Sequence, residues 1–246
     1  ITLHPESQML YCPVLKVGST FWRRVLYALD TNTPIHTPYD IPIQKALSAK
    51  HANLFSELKT NKVRTEHFLE NESLKMMFVR EPFTRLISGY IDKIFAPNPY
   101  FWSVIGKYII RNFRVNATEK SKKCGHDVTF PEFIKYVIHS EATNNTARDA
   151  HFTPIYDQCK PCEIKYNVVG KMESFLNDTT FIMNNIGFNI TLLHARNHSK
   201  HNKKQQKLEA LTDAFNQISS EDKLKLRKLF LPDFKLFDYE STPAYI

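Results

Sequence analysis

Glycine is scarce in this chain, six residues in 246, and no Gly-X-Y triplet repeats, which excludes a collagen-like molecule. No apolar run approaches the ~18 residues of a membrane span. The stretch opens at Ile1 with neither an initiating Met nor a signal-like segment, so it is expected to be a soluble portion of something longer, its anchor or targeting peptide cut away. No composition break marks a linker; at roughly 150 residues per domain, the reading is one domain over 1–246. Cysteine is sparse too. Cys12, Cys124, Cys159 and Cys162 contain a single CxxC, whereas structural zinc needs two pairs at ligand spacing. The turn-like context QCKPCEIKY favours disulfide bonding instead, as one or two bridges with three full pairings open.

What is present is a globular composition: 42% hydrophobic and 24% charged residues supply a core and exclude disorder. Thirty-three Lys and Arg against 25 Asp and Glu give a net charge of +8, which favours a polyanionic or phosphate-bearing partner. Acceptor sequons begin at Asn71, Asn116, Asn144, Asn177, Asn189 and Asn197, where chance would give about two. The excess points to the secretory pathway and away from a nuclear or cytosolic nucleic-acid-binding protein.

The chemistry concentrates in two stretches. In MLYCPVLKVGSTFWRRVLYAL, residues 9–29, the apolar run through Val17 predicts a buried strand. Gly18-Ser19-Thr20 predicts a tight turn, and Phe21 to Leu29 a helix with apolar spacing at Phe21, Val25 and Leu29. A turn at a helix N-terminus offers backbone N–H groups, two hydroxyls stand beside them, and Lys16 adds a cation, which are the parts of an anion site. A Walker A loop is disfavoured because its Lys follows the second glycine; here Lys16 precedes a single Gly. In LKMMFVREPFTRLISGYIDK, residues 74–93, Lys75 to Val79 predicts a second buried strand. Pro82 opens a helix carrying Leu86, Ile87 and Tyr90. Arg80 falls at the strand's C-terminal end, where open α/β sheets bind ligands, and Ser88 lies two helical turns on. A guanidinium fork with a hydroxyl is a natural receptor for a phosphate monoester.

VLKVGSTFWRRVL resembles the 5′-phosphosulfate loop, and VREPFTRLISGY the 3′-phosphate motif, of sulfotransferases that use 3′-phosphoadenosine-5′-phosphosulfate (PAPS). The resemblance is closer to the Golgi carbohydrate branch that includes chondroitin and dermatan 4-O-sulfotransferases. It continues through 127–138, 151–173 and 218–239. It implies a loop running from Lys16 through Val17, Gly18, Ser19 and Thr20 to Phe21 that holds the 5′-phosphosulfate, with Arg80 and Ser88 on the 3′-phosphate. Lys16 would also follow charge onto the bridging oxygen as the S–O bond breaks. Leu15 stands where the family commonly has Pro, and Gly18-Ser19-Thr20 where the carbohydrate branch often has Ala-Cys-Thr. The resemblance further implies a Golgi lumenal domain, type II membrane-anchored in the full-length protein, and an acidic glycan acceptor of the chondroitin type modified at N-acetylgalactosamine O4. A non-catalytic glycan-binding protein of the same fold and a P-loop kinase are the rival readings.

A base must take the acceptor proton. His151, ahead of FTPIYDQCKPC, is the first candidate; His51, His67 and Glu81 follow, Glu81 also being placed to orient Arg80. The basic run at 194–207, with Arg196, Lys200, Lys203, Lys204 and Lys207, reads as a loop able to line a polyanion channel. Lys120, Lys122 and Lys123 form a second patch. Of the aromatics, Phe101, Trp102 and Tyr108 are candidates for core or for stacking on sugars. Helices are predicted over 173–186, ending at Gly187, and from Ser219-Ser220 through Leu224, Leu226 and Leu229, stopping before Pro232. With strands near 9–17, 75–80 and 166–170, the fold class is α/β: a central parallel sheet with a P-loop-like strand-loop-helix, flanked by helices.

Overall fold

A computed structural model of the chain describes residues 1–4, 7–49, 52–60, 62, 66, 69–70, 73–143, 148–188 and 209–243. Among the described residues the strands are β1 (Thr2–His4), β2 (Met9–Cys12), β3 (Ala52–Asn53), β4 (Leu74–Val79) and β5 (Val168–Lys171). The principal helices are α1 (Ser19–Asp30), α2 (Pro82–Tyr90), α3 (Lys107–Phe113), α4 (Phe130–Ala142), α5 (Phe175–Asn185) and α6 (Ser220–Leu236). Chain contacts separate two compact units, Ile1–Arg80 with Ile155–Arg196, and Glu81–Pro154 with Asn197–Ile246.

The first unit is the α/β one. Its sheet runs β3-β1-β2-β4-β5. β2, β4 and β5 are parallel, in registers such as Cys12 opposite Met77 and Val79 opposite Lys171. β1 is antiparallel to both β2 and β3, so the central parallel strands expected from the sequence are β2, β4 and β5, extended on the β2 side by an antiparallel pair. Continuous apolar runs form β2 and β4 because both faces of central parallel strands are covered; Met9 to Cys12 and Met76 to Val79 are all buried. Asn167 brackets the start of β4, accepting from Lys75 N–H (2.8 Å) and donating to Ser73 C=O (3.1 Å). Buried His4 ties β1 to the end of α1 through its 2.6 Å contact with Asp30.

The strand predicted to reach Val17 stops at Cys12. Pro13 has no N–H for a ladder, and Val14 N–H turns back to Cys12 C=O at 2.9 Å. Val14 and Val17 are fully buried all the same, so the apolar run belongs partly to a loop that inserts into the core. α1 buries Trp22, Val25, Leu26 and Ala28, a face rotated from the expected Phe21, Val25 and Leu29.

One disulfide joins Cys12, at the end of β2, to Cys159, with Cα atoms 5.8 Å apart. The CxxC is therefore split: Cys162 is an exposed thiol, as is Cys124.

The second unit is helical over its described residues. Glu81 caps α2, its carboxylate accepting from Phe83 N–H (3.0 Å) and Thr84 N–H (2.7 Å), with Pro82 in the first turn. α2 passes into a π-helical turn at Ile91–Phe95, and a second such turn, Trp102–Gly106, precedes α3. A capping box of Thr129 and Glu132 starts α4. Arg114 binds Glu132 and Asp127 at 2.7 Å each; although burial opposes ionisation of both carboxyls, the Ser121 hydroxyl and the guanidinium hold Asp127, and the guanidinium and Thr129 hold Glu132, below their ordinary pKa values.

The core of this unit is aromatic. Phe83 stands 5.0 Å from Phe234 and 5.4 Å from Phe215, and Phe133 4.8 Å from Phe152. These rings explain why α6 runs through Pro232 to Leu236 rather than stopping before it. Burying a Phe contributes about 1.5–3 kcal/mol, and Phe230 and Phe234 are both buried; together they offset the ~3 kcal/mol cost of an interior proline. No helix among the described residues is long and apolar enough to cross a membrane.

Candidate active site

In the first unit the site grows from the C-terminal ends of adjacent parallel strands. β2 delivers the loop 13–18 and β4 delivers Arg80, so the two arrive side by side: Arg80 Nη1 donates to Lys16 C=O at 3.3 Å. Lys16 itself has φ of +71°, the left-handed region that costs a non-glycine residue energy and is tolerated where the surroundings hold it. Gly18 follows with φ of +82°. A Cβ there would lie 2.5 Å from the Phe175 ring, so glycine is required by both backbone and space. Phe175, the first residue of α5, also stacks edge-on with Phe21 (5.3 Å) and lies 5.1 Å from Phe78.

The N-terminus of α1 has no side-chain cap; Phe21 and Trp22 N–H both return to Gly18 C=O. Ser19 is buried, Thr20 exposed and Lys16 half-buried. Val17 is buried, and the half-buried Phe21 packs its ring against Phe175 and Tyr39. An electropositive helix end, a hydroxyl, an ammonium and a guanidinium are the kinds of group that an anion receptor uses.

The second unit carries Ser88 and His151. Ser88 is half-buried on α2. The segment of His151 lies against the same helix: a Cβ on Gly89 would stand 3.3 Å from His151 C=O and 2.9 Å from the Phe152 ring. Asp149 organises that segment. Its Oδ1 takes the His151 N–H at 2.8 Å and the ring Nδ1 at 2.6 Å, while its carbonyl accepts from Phe152 and Thr153 N–H. Burial alone would raise the Asp149 carboxyl, but the bonds from His151 and the charge of Lys93 hold it below its ordinary pKa. The contact at Nδ1 fixes the orientation of the imidazole ring. The Phe101 ring meets the imidazole edge-on at 5.4 Å.

The alternative bases fare differently. Both Glu81 oxygens are engaged in capping α2. His51, His67 and the basic run at 194–207 lie outside the described residues. Lys120 and Lys123 are exposed, and Lys122 pairs with Glu119 at 2.8 Å. Among the aromatics, Phe101 is core, Tyr108 packs partly buried against that core, and Trp102 donates to Ile94 C=O; the exposed rings among the described residues are Tyr39, Phe95, Tyr100 and Phe181. Sequence reasoning did not pick out Phe175 or Asp149. Phe175 left no local signal, whereas Asp149 stood two residues from the singled-out histidine, a spacing at which a carboxylate reaches both ring and backbone.

A family model described as "Sulfotransferase family" matches residues 1–240. Carbohydrate sulfotransferase 11 of Rattus norvegicus is 30% identical over 247 residues, spanning 100% of this chain and 68% of that protein. Carbohydrate sulfotransferase 8 of Mus musculus is 31% identical over 241 residues, 97% of this chain and 56% of the relative. Carbohydrate sulfotransferase 14 of Danio rerio is 34% identical over 187 residues, 76% and 48% respectively. No solved structure matches significantly.

Proposed function

The chain belongs to the sulfotransferase family, and from that premise we propose that it moves a sulfuryl group from PAPS to a hydroxyl of an acidic glycan, N-acetylgalactosamine O4 of a chondroitin-type chain being the first candidate. The supporting observation is the meeting of Arg80 with the Lys16 carbonyl, which places a guanidinium beside a left-handed loop and an uncapped helix N-terminus. Those residues fit a nucleotide carrying anionic groups at both its 5′ and 3′ positions. Lys16, Gly18, Ser19 and Thr20 hold the 5′-phosphosulfate, Val17 and Phe21 shaping the loop; Arg80 and Ser88 hold the 3′-phosphate. The donor, when bound, supplies an activated sulfuryl group. His151 Nε2 accepts the proton of the acceptor hydroxyl, with Asp149 fixing the ring. The Lys16 ammonium stabilises negative charge developing on the phosphate side, an interaction stronger in the transition state than before it. Six sequons and a disulfide support a lumenal compartment, the Golgi.

The test is thermal denaturation with 3′-phosphoadenosine-5′-phosphate against ATP. A ligand at 100 times its Kd stabilises by about 2.7 kcal/mol, which is roughly 5–10 °C in Tm for a chain of this size. ATP, lacking the 3′-phosphate, is expected to shift Tm far less. Equal shifts would remove the assignment of Arg80 and Ser88.

A further inference from the structure

We propose that Arg85 is a positioning residue for His151: from one turn ahead of Ser88 on α2, its buried guanidinium fixes the backbone that presents the imidazole. The inference rests on the reading of His151 as the base. Arg85 is completely buried, and its fork donates through Nη1 to His151 C=O at 3.4 Å and through Nη2 to Thr153 C=O. Two carbonyls flanking Phe152 are thereby held by one rigid plane. Between them the Phe152 ring seats against Gly89, where even a methyl group would intrude. Asp149 completes the arrangement from the other side by holding the ring nitrogen and the His151 N–H. The hydroxyl assigned to the donor's 3′-phosphate and the clamp on the base thus sit three residues apart on a single helix. A buried arginine needs good geometry to repay its desolvation, and a planar fork meets two carbonyls in a way that a lysine point charge does not.

Arg85→Lys and Arg85→Gln, made in parallel so that one folded variant suffices, are compared with the unaltered chain well below their Tm. The direct readout is the proton NMR signal of the His151 Nδ1–H bonded to Asp149, assigned by its disappearance in His151→Ala. The expected result is loss or exchange broadening of that signal and a kcat at least tenfold lower, with affinity for 3′-phosphoadenosine-5′-phosphate within about twofold. A variant with lowered Tm but an intact signal and unchanged kcat would make Arg85 merely structural and overturn the proposal. The NMR readout is independent of turnover: wild-type activity in His151→Ala would end the base assignment, whereas loss of the signal in Arg85→Lys would still establish the positioning.

Discussion

Lys16 carries both strain and charge, and the two separate in a pair of substitutions. Its φ of +71° costs a residue with a Cβ about 1–2 kcal/mol, and the Arg80 bond to its carbonyl helps hold it there. Lys16→Ala deletes the ammonium but keeps the strain; Lys16→Gly deletes both. Glycine loses about 0.5–1 kcal/mol through its larger unfolded-state entropy, so the difference leaves Lys16→Gly more stable than Lys16→Ala by about 1 kcal/mol. For a chain of this length that is roughly 2–4 °C in Tm, measurable by calorimetry or urea unfolding of the two variants side by side. Both should lose turnover equally, because the missing ammonium is common to them. At an ordinary loop position the order reverses and glycine is the less stable variant. The sign is therefore the test: an alanine variant equal to or more stable than the glycine variant would refute a strained Lys16.

Three further expectations follow from the same geometry. Arg80→Ala should weaken 3′-phosphoadenosine-5′-phosphate by about 1.5–3 kcal/mol, the scale of a charged hydrogen bond, without unfolding the chain; titration calorimetry showing unchanged affinity would contradict its role. Asp149 has a folded-state pKa below its ordinary value, so its contribution is present above the usual aspartate range and disappears as pH falls through the depressed value. Tm measured between about pH 5 and pH 2 should consequently fall less in Asp149→Asn than in the unaltered chain, and parallel curves would deny the interaction. Replacing Cys12 and Cys159 by Ser opens a loop of 147 residues, worth about 5 kcal/mol on chain entropy and typically 2–5 when measured; urea unfolding with an unchanged midpoint would mean that the bridge does not form.

The strand-loop-helix around Lys16 and the strand end at Arg80 were legible because short-range signals specify them: apolar runs, a lone Gly and a Pro at a helix start. The Glu81 cap and the Ser219 cap of α6 belong to the same local chemistry. What escaped was decided over distance. The end of β2 turns on Pro13 denying a ladder bond while Val14 and Val17 still enter the core, so hydrophobicity alone overran the strand. Gly18 is fixed by a ring from Phe175, distant in sequence. α6 continues through Pro232 because of aromatic burial that periodicity does not encode. The two units are interleaved, with no composition change at residues 80, 154 or 196 to reveal them. Arg85 was not singled out by the sequence, because nothing local marks a guanidinium for burial; only the fold shows it buried against the carbonyls of 151 and 153.

Catalysis itself is tested most directly by incubating the chain with sulfur-labelled PAPS and a panel of chondroitin, dermatan, heparan and N-glycan acceptors, then counting label in the recovered glycan. The account predicts label in chondroitin-type chains, carried as a stable O-sulfate, and at least a hundredfold less with Lys16→Ala. A chain that binds 3′-phosphoadenosine-5′-phosphate yet labels no glycan of any class would contradict it and leave a glycan-binding protein built on a sulfotransferase fold.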